Sequence, residues 1–204
     1  MSDLEKVKQL RHSTGAGFKD CNAAIKEANG DLEKAAEILR VKGISKASKK
    51  MSRDAKEGVV AVSGDEKKTS IIEVNCETDF VAKNDQFIQI AEEVSKVAIT
   101  TSGKIDDILN LKMNNKKKVS DNIIDLVSKI GEKITLRRSD FIGNEKVINF
   151  SYTHSSLKKN VGKLGVLLSI DTTKEKTDIV NLGKQLAMQV ASSSQLAIEK
   201  EGLD

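Results

Sequence analysis

Three carboxylates and an aromatic ring crowd into one stretch of the sequence, Glu73-Val74-Asn75-Cys76-Glu77-Thr78-Asp79-Phe80-Val81-Ala82-Lys83-Asn84. Glu73, Glu77 and Asp79 are the residue types of general acid–base hydrolysis. Glu73 and Glu77 fall on the same face of a strand, but acids alternating along a strand ordinarily mark its solvent side. The ring of Phe80 is harder to absorb as background, since aromatics make up only 3% of the chain. The two histidines, His12 and His154, stand alone, and the two cysteines, Cys21 and Cys76, are far apart. Neither pair suggests a metal centre, and the cysteines do not form a disulfide framework.

The elements that must position this stretch are legible on either side of it. Ile72, Val74 and Cys76 alternate with polar residues, the period of a half-buried strand. From Phe87 onward, Ile90, Ala91, Val94, Val97 and Ala98 recur at helical spacing, with Asn84 or Asp85 as the N-cap. Thr78 to Val81 therefore sits at a strand-to-helix corner, where a side chain can project from a rigid base. An earlier strand holds Val59, Val60 and Val62, and Gly64 to Lys67 forms the turn between the two. Downstream come a short amphipathic piece (Ile105 to Leu111) and a helix capped by Ser120 and stopped by Gly131. A strand then opens at Ile134 and ends at Arg137-Arg138. Strands at Val147–Tyr152 and Leu164–Ile170 precede a helix bearing Ile179, Leu182, Leu186 and Val190. Residues 58–99 and 141–192 thus read as two diverged copies of strand–strand–helix. Antiparallel sheet covered by helices on one face would bury both, an α+β architecture. The second copy has Asp171-Thr172-Thr173 at its corner and no projecting ring.

Residues 4 to 41 read as three short helices, with Thr14-Gly15-Ala16-Gly17 and Asn29-Gly30-Asp31 between them. Asp31 is the expected N-cap of the third and Gly43 its expected C-cap. Cys21 lies on an apolar stripe, as a buried thiol would. The glycine turn lacks the Lys-Ser/Thr of a phosphate-binding loop and the strand of a dinucleotide fold. It reads as a tight turn that presents Arg11 and Phe18 to a partner. Residues 42 to 57 are basic, a solvated linker or helix face, with contact to a phosphate-bearing partner as the alternative. The expected division is a helical module at 1–43, a linker at 44–57, and core copies at 58–140 and 141–204.

Composition bounds the rest. The 204 residues suffice for one or two domains with a hydrophobic core, at 38% hydrophobic and 31% charged residues. A net charge of +4, from 34 basic and 30 acidic residues, is too balanced to imply nucleic-acid binding. No apolar run approaches the ~20 residues of a membrane span. The N-terminus carries no signal-peptide core, so a cytoplasmic location is expected.

Four blocks in order resemble bacterial elongation factor Ts: Arg11 to Gly17, Glu27 to Asp31, Glu73 to Asn84, and Lys129-Ile130-Gly131-Glu132-Lys133-Ile134. The resemblance covers essentially the whole chain. It implies a three-helix, ubiquitin-associated-like N-terminal module on a core of two diverged repeats. The implied function is guanine nucleotide exchange on elongation factor Tu, in its GDP-bound and nucleotide-free forms. No cofactor, covalent chemistry, direct nucleic-acid contact or membrane is implied. By the same resemblance the module docks on the GTP-binding domain of Tu, and the corner pushes beside the nucleotide and dislodges Mg²⁺. Phe80 is then the wedge and Asp79 the adjacent polar contact, with Thr78 and Val81 positioning them. Arg11 and Phe18 match partner-facing positions of the module, and His154 a partner-facing histidine of the second copy. The alternative is a non-catalytic adaptor with a helical docking module. Two-copy family members continue into a helical hairpin, a return segment and a C-terminal helix, whereas this sequence stops about where that hairpin begins. Lys19 stands where the family often has an apolar residue.

Overall fold

The computed structural model describes residues 2–143 and 147–193, so the 194–204 portion expected in the second copy lies outside the described residues. The architecture is α+β: N-terminal helices followed by antiparallel sheets. Helices α1 (Asp3–Thr14), α2 (Phe18–Glu27) and α3 (Leu32–Lys50) come first. Ser2 and Glu5 close a capping box on α1, and Asp31 caps α3 by accepting from the amides of Glu33 and Lys34 at 2.9 and 3.0 Å. Val7, Leu10, Cys21, Ala24, Ile25 and Ala35 close a small core of their own.

Gly43 does not end α3, which runs on to Lys50. A Cβ at 43 would fall 2.7 Å from Ser128 Oγ on helix α7 (Val119–Ile130), so this glycine serves helix–helix contact rather than capping. Residues 44–50 of the expected linker are therefore helical. The basic residues Lys42 and Lys46 pair back onto α2, with Glu27 at 2.6 Å and Asp20 at 2.9 Å.

Strands β1 (Glu57–Gly64) and β2 (Lys68–Cys76) form a hairpin, its turn closed by Asp65 accepting from the amides of Lys67 and Lys68. The one-turn helix α4 (Asp79–Ala82), then α5 (Asp85–Ala98) and α6 (Ile105–Asn110), lead to α7. The remaining elements are β3 (Ile134–Gly143), β4 (Val147–His154), β5 (Val161–Gly162), β6 (Leu164–Asp171) and α8 (Lys176–Ser192). The main sheet has the order β3-β2-β1-β5, and β4 and β6 pair in a second. Two local expectations give way. Lys118, without a side-chain cap bond, occupies the N-cap of α7 in place of Ser120. Strand β3 does not stop at Arg137-Arg138 but pairs with β2 as far as Gly143, through a register shift opposite Glu73/Val74.

The core lies between α5, α7 and the main sheet. Phe87, Ala91, Val94 and Ala98 meet Val59, Ala61, Ile72 and Val74, and Val119, Leu126 and Val127 close the side. The two sheets meet where Gly165 of β6 lies against Val60 and Ile71, and α8 covers the second sheet with Gly183 over the Phe150 ring. Among the described residues no helix is long and apolar enough to cross a membrane.

Candidate protein-interaction site

The last residue of β2, Cys76, is fully buried, and its thiol donates to the carbonyl of Thr78 at 3.2 Å. The chain leaves the sheet through Glu77 and enters α4 at Thr78. Thr78 is extended (φ −126°, ψ 156°) and its hydroxyl accepts from the amide of Val81 at 3.4 Å. This is the N-cap arrangement that Thr favours. Val81 and Ala82 point inward and are buried. Phe80, one residue earlier on the turn, points outward and is 83% exposed. Asn84 then caps α5, accepting from the amides of Gln86 and Phe87. The corner is thus anchored on both sides by buried residues and caps, and a large apolar ring stands in solvent between them. Leaving such a ring in water is unfavourable by roughly 1.5–3 kcal/mol relative to burying it.

The three carboxylates are each engaged by separate partners. Glu73 takes Arg137 at 2.8 Å and Arg138 at 2.6 Å. Partial burial pushes its carboxyl up, and the two guanidinium groups outweigh that to hold it below the usual range. Glu77 accepts from the amide of Lys133 at 2.6 Å, and that bond, aided by Arg53, lowers its pKa. Asp79 is lowered by Lys83, four residues on, at 2.9 Å. Each acid is held ionised by a different cation or amide, so none carries a proton to donate near neutrality. Among the described residues no group of three or more His, Cys, Asp or Glu could hold a metal ion.

The other sequence-predicted residues lie on separate elements. Arg11 is exposed in the last turn of α1, and Phe18, 47% exposed, opens α2 across the Gly15 turn. Gly15 sits at φ 68°, the left-handed conformation that ends α1. Exposed Lys19 follows them. His154 ends β4, exposed, its Nδ1 3.0 Å from the Tyr152 hydroxyl. The structure gathers Thr78, Asp79, Phe80 and Val81 into one corner and leaves Arg11, Phe18 and His154 as separate exposed positions on α1, α2 and β4.

Sequence reasoning assigned no part to the turn between α7 and β3, which reaches the corner from more than fifty residues away. Glu132 Oε2 accepts from the amides of Glu77 and Thr78 at 3.1 and 3.0 Å, and its Oε1 accepts from the Thr78 hydroxyl at 2.7 Å. Lys133 Nζ donates to the carbonyls of Met51 and Arg53 at 2.7 and 2.8 Å, just past α3. Lys50 donates to the Gly131 carbonyl. No periodicity marks Glu132; its only sequence signal is its place in the block Lys129 to Ile134.

The family described as Elongation factor TS matches residues 77–204. Over 199 residues the chain is 42% identical to elongation factor Ts of Rhizobium etli (strain CIAT 652), covering 97% of this chain and 65% of the relative. The corresponding protein of Bartonella henselae (strain Houston 1) is 42% identical over 98% of this chain, and that of Methylorubrum populi (strain BJ001) 40% over 97%. The chain thus spans 65% of the length of these curated relatives.

Proposed function

Because this chain belongs to the elongation factor Ts family, we propose that it is a guanine nucleotide exchange factor for elongation factor Tu, acting in the cytoplasm during translation elongation. The observation that carries the reading furthest is the ring of Phe80, 83% exposed on a corner whose neighbours are buried and capped. A ring so placed is a ready interface anchor, and buried aromatics are the residues that most often dominate a protein interface.

The mechanism follows from linkage. A GTP-binding protein holds its nucleotide partly through Mg²⁺ that bridges the phosphates. A factor that binds the nucleotide-free form more tightly than the GDP form weakens GDP binding by the same ratio. Each ~1.4 kcal/mol of that preference is tenfold in affinity. Phe80 enters the GTP-binding domain of Tu beside the nucleotide, Asp79 makes the adjacent polar contact, and the loss of the Mg²⁺ position leaves phosphate charge uncompensated. Thr78 and Val81 hold the two in place. Arg11 and Phe18 dock the helical module on the same domain, and His154 makes a further contact from the second sheet. The factor recognises Tu in its GDP-bound and nucleotide-free states. It makes no covalent bond and needs no cofactor, nucleic acid or membrane.

The test is release of fluorescent GDP from elongation factor Tu in the presence of Mg²⁺, with and without this chain. Accelerated release is the expected result. Binding without acceleration reduces the chain to a docking fragment, and no binding returns it to the adaptor reading.

A further inference from the structure

A side chain that must push on a partner needs a base that does not yield. The backbone around Phe80 has a weakness in this respect: Glu77 and Thr78 leave the sheet before α4 has begun, so their amides find no partner in either element. A single carboxylate supplies the partners. Glu132 takes both amides on one oxygen and the Thr78 hydroxyl on the other, at 3.1, 3.0 and 2.7 Å. The exchange is mutual, since the Glu77 carboxylate takes the amide of Lys133 at 2.6 Å. The two turns are therefore stapled by four bonds, each accepted by a carboxylate, a class stronger than neutral hydrogen bonds. Gly131, at φ 89°, ends α7 in the left-handed conformation and turns the chain so that the next side chain faces the corner.

We infer that Glu132 is the positioning residue of the Phe80 corner, fixing through Glu77 and Thr78 the direction in which the ring projects. It touches neither nucleotide nor Mg²⁺ in the mechanism proposed above, on which only the functional consequence of this inference rests. Thr78 supplies its hydroxyl to Val81 as a cap and to Glu132 as a tether, so the two devices meet at one residue.

The substitution that tests this is Glu132→Gln, which keeps the shape, removes the charge that strengthens all three bonds and turns one accepting oxygen into a donor. Amide hydrogen exchange of the isolated chain needs no partner. Glu77 and Thr78 should lose at least about tenfold in protection, the size expected for losing a bond to a charged acceptor, while Phe87 on α5 keeps its own. The chain contains no tryptophan, so Phe80→Trp provides a single tryptophan at the corner, excited apart from Tyr152. Its anisotropy should fall when Glu132→Gln is added. In the exchange assay Glu132→Gln should lower GDP release about tenfold in the parent chain and less than about twofold beside Phe80→Ala, because it acts only through the ring.

Unchanged amide protection and unchanged anisotropy overturn the inference. So does an equal loss of GDP release in both backgrounds accompanied by a lower unfolding midpoint, which marks a merely structural carboxylate. If the parent chain itself fails to release GDP, the exchange reading fails, and the amide and anisotropy results still decide whether Glu132 holds the corner.

Discussion

At the end of β2 the chain turns into α4 through Glu77 and Thr78; at the end of β6 it turns into α8 through Thr172 to Glu175. Both corners join an antiparallel strand to a helix that packs back on its own sheet. The first is stapled by Glu132, capped by Thr78 and floored by buried Cys76 and Val81. The second has Glu175 at the N-cap with no side-chain cap bond, and one local bond from the Lys174 amide to Thr172 Oγ1 at 3.1 Å. It presents no ring. A corner that only connects can leave its amides to water. A corner that presents an apolar side chain needs those groups satisfied inside the protein, because any give in the backbone is lost force at the tip. The difference is between a corner fixed from a distant turn, with a ring exposed on it, and one held by local contacts alone.

The largest expected effect lies beneath the first corner. Phe87 is fully buried while Phe80 is 83% exposed, so the two rings ask opposite questions of one substitution. Phe87→Ala should cost ~3–5 kcal/mol of unfolding free energy in urea. Phe80→Ala should change stability by less than ~0.5 kcal/mol and yet lower GDP release from Tu by at least about thirtyfold, the scale of a ~2 kcal/mol anchor. A stability loss for Phe80→Ala that approached the Phe87 value would place the ring in the core and erase the comparison.

The second sheet is tested at its helix. A Cβ on Gly183 would stand 2.5 Å from the Phe150 ring, so Gly183→Ala should destabilise by ~1–3 kcal/mol through overpacking. GDP release should be spared at temperatures where the variant remains folded, since Phe80 stands at the end of β2 in the main sheet and Gly183 lies on the helix over the second. Loss of release without loss of fold would assign the second sheet a part in exchange of its own.

Two smaller effects sharpen the first corner alone. Burial pushes the Cys76 thiol from 9.0 to about 12. Its folded value lies above the unfolded one, so its contribution to stability is complete below the unfolded pKa and is lost as the pH rises from there toward the folded value. In the native protein at neutral pH, Cys76 should resist alkylation until the chain is denatured; rapid labelling would show a floor that opens. Glu77 has the opposite sign. Its folded pKa is lowered by the Lys133 amide and Arg53, so its contribution is present above the ordinary glutamate range and disappears as the pH falls through the folded value. Glu77→Gln should flatten the acid limb of the plot of unfolding midpoint against pH. An unchanged limb would show that the staple does not rest on that carboxylate's charge.

Period and caps carried most of this legibility. The alternation at Ile72, Val74 and Cys76 places those side chains under α5, and Asn84 and Asp31 cap their helices as their types require. The ring at 80 was legible as an oddity, a large apolar side chain at a corner in a chain poor in aromatics. Gly43 shows where local reading stops. A glycine after an apolar stripe resembles a helix end, and only the approach of Ser128 distinguishes a stop from a contact. The extension of β3 past Arg137 and Arg138 is a similar case: two arginines look like a strand's end until Glu73, 64 and 65 residues earlier, is found between them.

By itself the sequence determined what depends on neighbours along the chain: which faces are apolar, where helices begin, and that a corner at 78–81 carries a ring. Only the tertiary structure decided what holds that corner. The bonds to Glu132 and from Lys133 cross 54 to 56 residues. No periodicity encodes them, because they depend on how α7 ends, how β3 pairs with β2, and therefore on which two turns the packed core brings within reach of one carboxylate.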